Sequence, residues 1–508
     1  MIFCRVILFI FIFSAFLSQS LARDPFSFHI LTEPVTLDPV RSLGSWNSFV
    51  HFNLYRSLYR FDGTKKTSEL AERCWQPSPL EWRCRIKKNL KYANGEKIEI
   101  SHFLTAFQEA FSSTASAKIK SEVLFLKNAK KILDGKALVS ELGIKAENNI
   151  LIFNFDQVDS HFLGRLTSPL FSPRPPNIQN DQKLARDYAT GPYRLKKIEP
   201  LKSVRLEPNH FYQNGHQNRP EVIALIVNND ATALSLYLKK QLHFLRRVPQ
   251  DQYSSLLTQP EFKKHIHTQN MIRMDYVGFS GALVQQPELR EALTLSLDYK
   301  ELQDLLKSKG RPGCYSLSTA YYGSPALCYQ TNIKKARSLI EKINLEKKNT
   351  ELQFFYSIQG GEDIQRAVEW MQNQWKKNLG LSIRLNPTEN TVLSARLRDS
   401  TPDLFRRGVP VDSPSCFAAL EGFQTDHPEN FLKISNPQIQ KGLLLLAQSA
   451  SEAQRKEKCR EVLGRLMIEN RMIPLGEIYF VILARPIFTG WKLNELNQLD
   501  LSNLRAAQ

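Results

Sequence analysis

The sequence lacks the long apolar run of a membrane-spanning helix and the short motifs of several common catalytic sites. After Leu17 no apolar stretch reaches the roughly 20 residues that a bilayer span needs. No two cysteines have C-x-x-C spacing, which argues against zinc and thioredoxin-type sites. The motifs G-x-x-x-x-G-K, G-x-G-x-x-G, H-E-x-x-H and G-x-S-x-G are missing. We therefore expect no catalytic residues, no cofactor and no metal site.

Acidic residues are outnumbered, with 50 Asp and Glu against 68 Lys and Arg, for a formal charge of +18. The basic residues occur in scattered pairs such as Lys239-Lys240, Arg246-Arg247 and Arg406-Arg407, without a continuous stripe. This scatter predicts solvated surface and argues against a nucleic-acid partner. With 508 residues, 42% of them hydrophobic, the chain has the length of about three domains and can bury a large core.

Residues 1–22 have the pattern of a secretory signal peptide. Arg5 provides the positive charge, Val6–Phe13 forms the apolar segment, and Ser20-Leu21-Ala22 is a small-x-small cleavage site. The apolar run is too short for a membrane anchor. We expect cleavage after Ala22 and export to a bacterial periplasm.

Six cysteines remain after that cleavage, and an even number in an exported protein favours disulfides, although 15 pairings are possible. Cys74 and Cys84 lie symmetrically about Pro79, so a hairpin would place them opposite each other. Cys314 and Cys328 flank a loop rich in Gly, Pro and Tyr and form the second predicted pair. Cys416 with Cys459 follows by elimination only. Six buried free thiols are the alternative.

Hydrophobic periodicity predicts strands mixed with helices. The predicted strands are 26–31, 81–87, 96–100 and 150–155, and the predicted helices begin at Ser101 or span 287–308, 332–343, 362–379, 438–448 and 452–468. The apolar stripes on these helices indicate core packing. The pattern is that of an α/β or α+β protein.

Seven segments, taken in order, resemble the extracellular solute-binding proteins of peptide and nickel ABC importers, the family of oligopeptide- and dipeptide-binding proteins. The resemblance covers almost the whole mature chain. No single motif is specific, but their order along the chain is. The segments are Glu33-Pro-Val-Thr-Leu-Asp-Pro39, residues 53–62, Glu69-Leu-Ala-Glu-Arg-Cys-Trp75, residues 84–96, Thr190-Gly-Pro-Tyr-Arg194, residues 287–298 and Ile473-Pro474.

The resemblance implies an α/β protein of two lobes that close on a ligand, with two crossover hinge strands near 271–279 and 473–478. It also implies a monomer that docks on an inner-membrane ABC permease. The implied division is lobe I at 23–58, an inserted subdomain at 59–165, lobe I again at 166–272, lobe II at 273–476 and a return to lobe I at 477–508.

Peptide binders of this family hold the ligand's α-amine with an Asp, and the matching segment here is Gly408–Phe417. Alignment on Pro414 and Phe417 places Pro410 at the Asp position, so Asp412 would need a loop shift to replace it; Asp403 is a more remote candidate. An unpaired buried ammonium is costly, which counts against ordinary capture of a free amine. The remaining ligand-binding candidates are Glu33, Trp46, Tyr193 and Arg407, with Arg406 beside it. The alternatives are a turn-forming role for Asp412, an ordinary exposed loop acid for Glu33, core packing for Trp46 and Tyr193, and surface charge for the two arginines.

We expect a periplasmic binding protein that captures peptides or peptide-like solutes for an ABC importer. One alternative is a binding protein for a metal chelate, an opine or a sugar derivative. Another is a descendant without ligand that only docks on an envelope partner or senses its state. An exported enzyme would require a nucleophile–base pair that we do not find.

Overall fold

The structure is a computed structural model, and it describes residues 24–42, 48–63, 65–112, 115, 119–120, 122–325, 327–343, 351–399, 402–411 and 413–507. The predicted signal peptide and its cleavage site lie outside the described residues. Within those ranges, every helix is too short or too polar to cross a bilayer.

The strands of the described chain are short, with two to eight residues each. They are β1 Phe26–Ile30, β2 Tyr59–Phe61, β3 Lys66–Ser68, β4 Ala71–Ser78, β5 Glu81–Ile86, β6 Ile144–Glu147, β7 Ile150–Asn154, β8 Tyr193–Glu199, β9 Ser203–Pro208, β10 Val222–Ile226, β11 Phe244–Leu245, β12 Ile266–Asn270, β13 Arg273–Phe279, β14 Leu352–Ser357, β15 Ile383–Thr388, β16 Leu404–Pro410, β17 Met472–Pro474, β18 Tyr479–Ala484, β19 Phe488–Thr489, β20 Lys492–Leu493, β21 Leu499–Asp500 and β22 Arg505–Ala506.

The α-helices are concentrated in the second half of the chain. They are α1 Ser48–Leu54, α2 Ile100–Glu109, α3 Ala129–Leu133, α4 Phe162–Arg165, α5 Asp181–Asp187, α6 Asp230–Leu238, α7 Gln250–Leu257, α8 Pro287–Leu295, α9 Tyr299–Leu306, α10 Ile333–Lys342, α11 Glu362–Leu379, α12 Asn390–Arg398, α13 Cys416–Leu420, α14 Pro437–Gln448 and α15 Glu452–Ile468.

Two large sheets define the two lobes. Lobe I is built on a seven-stranded sheet in the order β12-β18-β11-β1-β10-β9-β8, in which β1 runs parallel to both of its neighbours. Lobe II is built on a five-stranded sheet in the order β15-β14-β16-β13-β17. Each sheet has its own hydrophobic core, and the lobe II core is drawn almost entirely from residues 272–475. This confirms the two-lobed α/β architecture that the sequence predicts.

The chain passes between the two sheets twice. It leaves β12 in lobe I and enters β13 in lobe II within three residues, and it returns from β17 to β18 over residues 475–478. The two crossovers lie side by side, since Leu475 N donates to Asp275 O at 3.0 Å. Short paired connections of this kind permit hinge motion because few dihedral angles separate the rigid bodies.

A separate four-stranded sheet, in the order β4-β5-β7-β6, lies within residues 59–165, the range predicted for the inserted subdomain. Cys74 and Cys84 are directly opposed in the β4–β5 hairpin and form a disulfide, as the symmetry about Pro79 predicts. The pairs Cys314–Cys328 and Cys416–Cys459 are also disulfides. All three predicted pairings are therefore confirmed.

Three details of the predicted secondary structure are wrong. Residues 96–100 form no strand, because helix α2 begins at Ile100 and Glu99 is its N-cap instead of Ser101.

The predicted helix over 287–308 is two helices, α8 and α9. The break is at Asp298, whose carboxylate accepts from the backbone N–H groups of Lys300 and Glu301 and so starts α9.

Candidate functional site

The lobes meet beside the first crossover through a group of charged side chains. We call it the interlobe charge cluster, and it consists of Arg246, Arg247, Asp230, Arg273, Asp275, Arg406 and Asp363. Lobe I supplies the first three, from the segment after β11 and the first turn of α6. Strands β13 and β16 and the first turn of α11 supply the others.

Arg247 joins the two lobes directly. Its Nη2 lies 2.8 Å from Asp363 Oδ2 in lobe II, and its Nε lies 3.8 Å from Asp230 Oδ2 in lobe I. Asp230 also lies 3.5 Å from the Nε2 of His29, a fully buried residue of β1. Burial lowers the pKa of His29, so its ring is neutral at pH 7 and adds no charge to the cluster.

Strand alternation places the lobe II members on one face. Residues Arg273 and Asp275 are two apart on β13, and the antiparallel register pairs Val277 with Arg406, so Arg406 shares their face. Both guanidinium groups donate to the Asp275 carboxylate, which is fully buried. Opposite Asp275 stands Gly408, where a Cβ atom would collide with the guanidinium of Arg273.

The seven named members of the cluster carry four guanidinium groups and three carboxylates. One of these carboxylates, Asp363, also pairs with Arg366 of lobe II. Burial, together with the neighbouring arginines, lowers the pKa of both Arg246 and Arg406 to about 10 despite nearby aspartates. The buried Nε of Arg406 has no hydrogen-bond partner. Because a buried N–H donor without an acceptor is costly, the Nε of Arg406 fits a hydrogen bond to an anionic group of a bound ligand.

Arg407, a predicted ligand residue, faces the other way. It is paired with Tyr276 on the opposite face of the sheet, and its Nη2 donates to Glu429 Oε1 at 2.7 Å. The guanidinium lies 4.6 Å from the centre of the Phe431 ring. The contacts of Arg407 are therefore inside lobe II, whereas its neighbour Arg406 faces the cluster.

The other predicted site residues are dispersed. Tyr193 is fully buried in the lobe I core, and its hydroxyl donates to Pro220 O at 3.1 Å, so it has the contacts of a packing residue. Glu33 accepts the backbone N–H of Leu201 at 2.8 Å, at the β8–β9 turn. Asp403 accepts the N–H of Gln353, and burial raises the pKa of its carboxyl. Trp46 and Asp412 lie outside the described residues.

The sequence predicts solvated surface for Arg246 and Arg247, whereas Arg406 stands beside the predicted ligand residue Arg407. Arg246 is 5% exposed and Arg406 is 7% exposed. One signal was available, because Arg273-x-Asp275 places opposite charges on one face of a predicted crossover strand. The partner Arg406 is 131 positions away from Asp275, and no local pattern indicates that contact.

A cavity of about 270 Å³ lies elsewhere, in lobe II alone, between the start of α9 and the Cys314–Cys328 loop. Asp298, Lys300, Arg311 and Thr331 are among its lining residues. Because it contacts one lobe only, it is a weaker candidate for a site that closes around a ligand.

The family model for bacterial extracellular solute-binding proteins, family 5, matches residues 66–430, which is more than half of the chain. The protein belongs to this family. It is 22% identical to the periplasmic murein peptide-binding protein MppA of Escherichia coli, over 92% of this chain and 90% of MppA. It is also 22% identical to the periplasmic oligopeptide-binding protein OppA of Haemophilus influenzae, over 90% of this chain and 89% of OppA.

Solved structures show the same fold. The structure of the E. coli murein tripeptide-binding protein MppA superposes with a TM-score of 0.84 at 19% identity, and the match covers 95% of this chain and 98% of MppA. The family resemblance in the sequence is thus confirmed, and with it the two-lobed architecture. The family and these relatives are binding proteins.

Proposed function

We propose that the protein captures peptides or peptide-like solutes between its two lobes in the periplasm and delivers them to an inner-membrane ABC permease. Membership of the solute-binding family supports this proposal, as do relatives named for binding murein peptide and oligopeptides. In this proposal residues 1–22 are removed on export. In the same proposal lobe I, the inserted subdomain and lobe II have the boundaries that the family resemblance implies.

The interlobe charge cluster is the single observation on which the ligand assignment depends. A group that satisfies its excess positive charge would contact residues of both lobes at once, which is the requirement for a ligand that favours closure. Every peptide with an unmodified C-terminus carries a carboxylate, and guanidinium groups bind carboxylates through paired, charge-assisted hydrogen bonds. We therefore assign the ligand's carboxylate to the face shared by Arg273 and Arg406.

Thermal denaturation with two matched peptide libraries tests this function. One library has free C-terminal carboxylates and the other has the same sequences with C-terminal amides. A ligand that binds only the folded protein at 100 times its dissociation constant adds about 2.7 kcal/mol to the free energy of unfolding. We expect free-carboxylate peptides to raise the melting temperature and amidated peptides to have little effect.

Equal stabilisation by both libraries would contradict the assignment of the carboxylate while leaving peptide capture in place. Stabilisation by neither library would contradict peptide capture. A response to metal chelates, opines or sugar derivatives would then identify a non-peptide binding protein. Failure of all these ligands would favour a protein that only docks on a partner.

A further inference from the structure

A second contact between the lobes lies in the inserted subdomain. Arg165, at the end of α4, donates from Nη2 to Glu421 Oε2 of lobe II at 2.8 Å. Its Nε donates to Asp159 Oδ2 at 2.7 Å within the subdomain. The side chain of Arg165 is 10% exposed, so this ion pair is shielded from solvent far more than a surface pair. Two carboxylates hold one guanidinium, so this contact has no excess positive charge.

The residues before α4 strengthen the same contact. The ring of His161 stacks on Phe417 of lobe II, with centroids 5.3 Å apart and an angle of 10° between the planes. Ser160 donates twice to the carbonyl oxygen of Ala447, from its backbone N at 3.1 Å and from Oγ at 2.8 Å. We call residues 159–165 with their lobe II partners Phe417, Glu421 and Ala447 the subdomain latch.

Both surfaces of the subdomain latch are held rigidly by their own lobes. On one side Phe162 packs against Phe153 and Phe155, with ring centroids 4.8 and 5.1 Å away. On the other side the Cys416–Cys459 disulfide joins α13, which carries Phe417, to α15. Preformed surfaces lose little side-chain entropy when they meet, so the contact favours closure more effectively than mobile side chains would.

The subdomain latch makes these contacts with groups other than those of the interlobe charge cluster. Arg165, His161 and Ser160 contact lobe II or their own subdomain. Each of these contacts joins a protein group of the subdomain to a protein group of lobe II. A set of contacts that exists only when the lobes are together stabilises the closed state whether or not a ligand is present.

We propose that the subdomain latch holds the two lobes together independently of the ligand, so that the ligand-free protein populates the closed state. The apparent dissociation constant for a ligand equals the intrinsic constant divided by the fraction of protein that is competent to bind. The subdomain latch thus sets how much of the ligand's binding energy is needed for closure.

Small-angle X-ray scattering of the ligand-free full-length mature protein tests this proposal. Glu421→Ala removes the lobe II carboxylate and leaves Arg165 paired with Asp159. Ser160→Ala removes one of the two hydrogen bonds to Ala447, and it provides a milder variant if Glu421→Ala folds poorly. The matched control is Glu81→Ala, which removes the Arg83–Glu81 ion pair within the same subdomain.

We expect the radius of gyration to increase in Glu421→Ala, to increase less in Ser160→Ala, and to remain unchanged in Glu81→Ala. A wild-type protein that is fully open without ligand would overturn the proposal, as would equal radii in all four proteins. The scattering measurement needs no ligand, so its outcome does not depend on whether the proposed function is correct. Where a binding peptide is found, its apparent dissociation constant should rise in Glu421→Ala by the factor by which the closed fraction falls.

Discussion

Two buried groups of arginines and carboxylates in this molecule differ in their charge balance. In lobe I, Arg56 and Arg60 both contact Glu69 and Asp500, and the two positive charges meet two negative ones. In the interlobe charge cluster, the described residues supply four guanidinium groups and three carboxylates. The lobe I network joins β21 near the C-terminus to the segment after α1 and to Arg60 of β2, and its four members include no residue of lobe II. The cluster lies where two lobes meet.

The charge balance of the lobe I network suits a structural role, and that of the interlobe charge cluster suits a binding role. The arginines of the lobe I network lower the pKa of Asp500 and outweigh the cost of its burial, so the carboxylate stays ionised and paired. The pKa of Arg406 shifts downward instead, because its one aspartate does not offset burial and the neighbouring arginines. A balanced group stabilises the fold by itself, whereas an unbalanced group gains from an added anion.

The largest effect is expected in the balanced network. Asp500→Ala leaves two arginines with one carboxylate in a buried site, and breaking a buried pair in this way costs about 3–5 kcal/mol. We expect the urea midpoint of the variant to fall in proportion to this loss in the free energy of unfolding. Peptide affinity, measured at urea concentrations well below that midpoint, should stay unchanged. A variant of wild-type stability would show that the network does not hold the C-terminal segment.

The next effect is expected in the cluster and on binding. Arg406→Gln removes the guanidinium with the unpartnered Nε, and loss of one partner from a buried charge pair costs about 2–5 kcal/mol of binding energy. We expect a loss of at least about 30-fold in affinity for peptides with a free carboxylate, measured by isothermal titration calorimetry.

Arg407→Gln is the matched control, because Arg407 is the adjacent residue on the opposite face of β16. Its affinity for the same peptides should be that of the wild type. If Arg407→Gln weakens binding as much as Arg406→Gln, the assignment of the binding face to Arg406 is wrong.

Between pH 7 and 4 acid should act mainly on buried histidines, because the arginines stay charged and the pairing of Asp500 and of Asp230 with basic groups lowers the pKa of both carboxyls. Burial lowers the pKa of His51 and His161 to about 4. An unfolded histidine takes up its proton near pH 6.5, so the stability that these groups contribute is complete above 6.5 and declines as the pH falls toward 4. Between pH 6.5 and 4 the free energy of unfolding falls by about 3 kcal/mol for each histidine.

Urea denaturation at pH 7, 5.5 and 4 measures this decline, and His51→Gln should reduce it. A free energy of unfolding that decreases equally in His51→Gln and in the wild type would exclude His51 as a source.

The smallest effect is expected for an exposed pair. Glu81→Ala breaks the 2.6 Å contact with Arg83, whose side chain is 40% exposed. Exposed ion pairs contribute about 0–1 kcal/mol, so the urea midpoint should barely move. A loss comparable to that of Asp500→Ala would show that burial does not decide the contribution of these pairs.

The elements predicted most accurately are those with strong local signals. Helix α11 has its predicted bounds, because an apolar stripe that includes Ile364 and Trp375 ends at Gly380, which adopts φ 71°. The Cys74–Cys84 pair follows from turn symmetry alone. The break at Asp298 was missed because leucines continue on both sides of it, although an Asp at that position is a recognised N-cap signal.

The candidate site was harder to predict than the fold. Its members come from segments as far apart as Asp230 and Arg406, and only the sheet register places Arg406 and not Arg407 on the inner face. Composition favoured solvated surface for paired arginines, and burial of unbalanced charge is the exception that tertiary structure alone reveals. Family resemblance supplied the lobes and the crossovers but none of these contacts.

Native mass spectrometry of the protein purified from its native host shows whether a ligand with a carboxylate is bound. We expect a ligand whose mass and fragmentation identify a peptide or peptide-like solute with a free carboxylate. Arg406→Gln should purify without that ligand, while Arg407→Gln should retain it. A ligand that lacks any acidic group, or one that Arg406→Gln retains in full, would contradict this expectation.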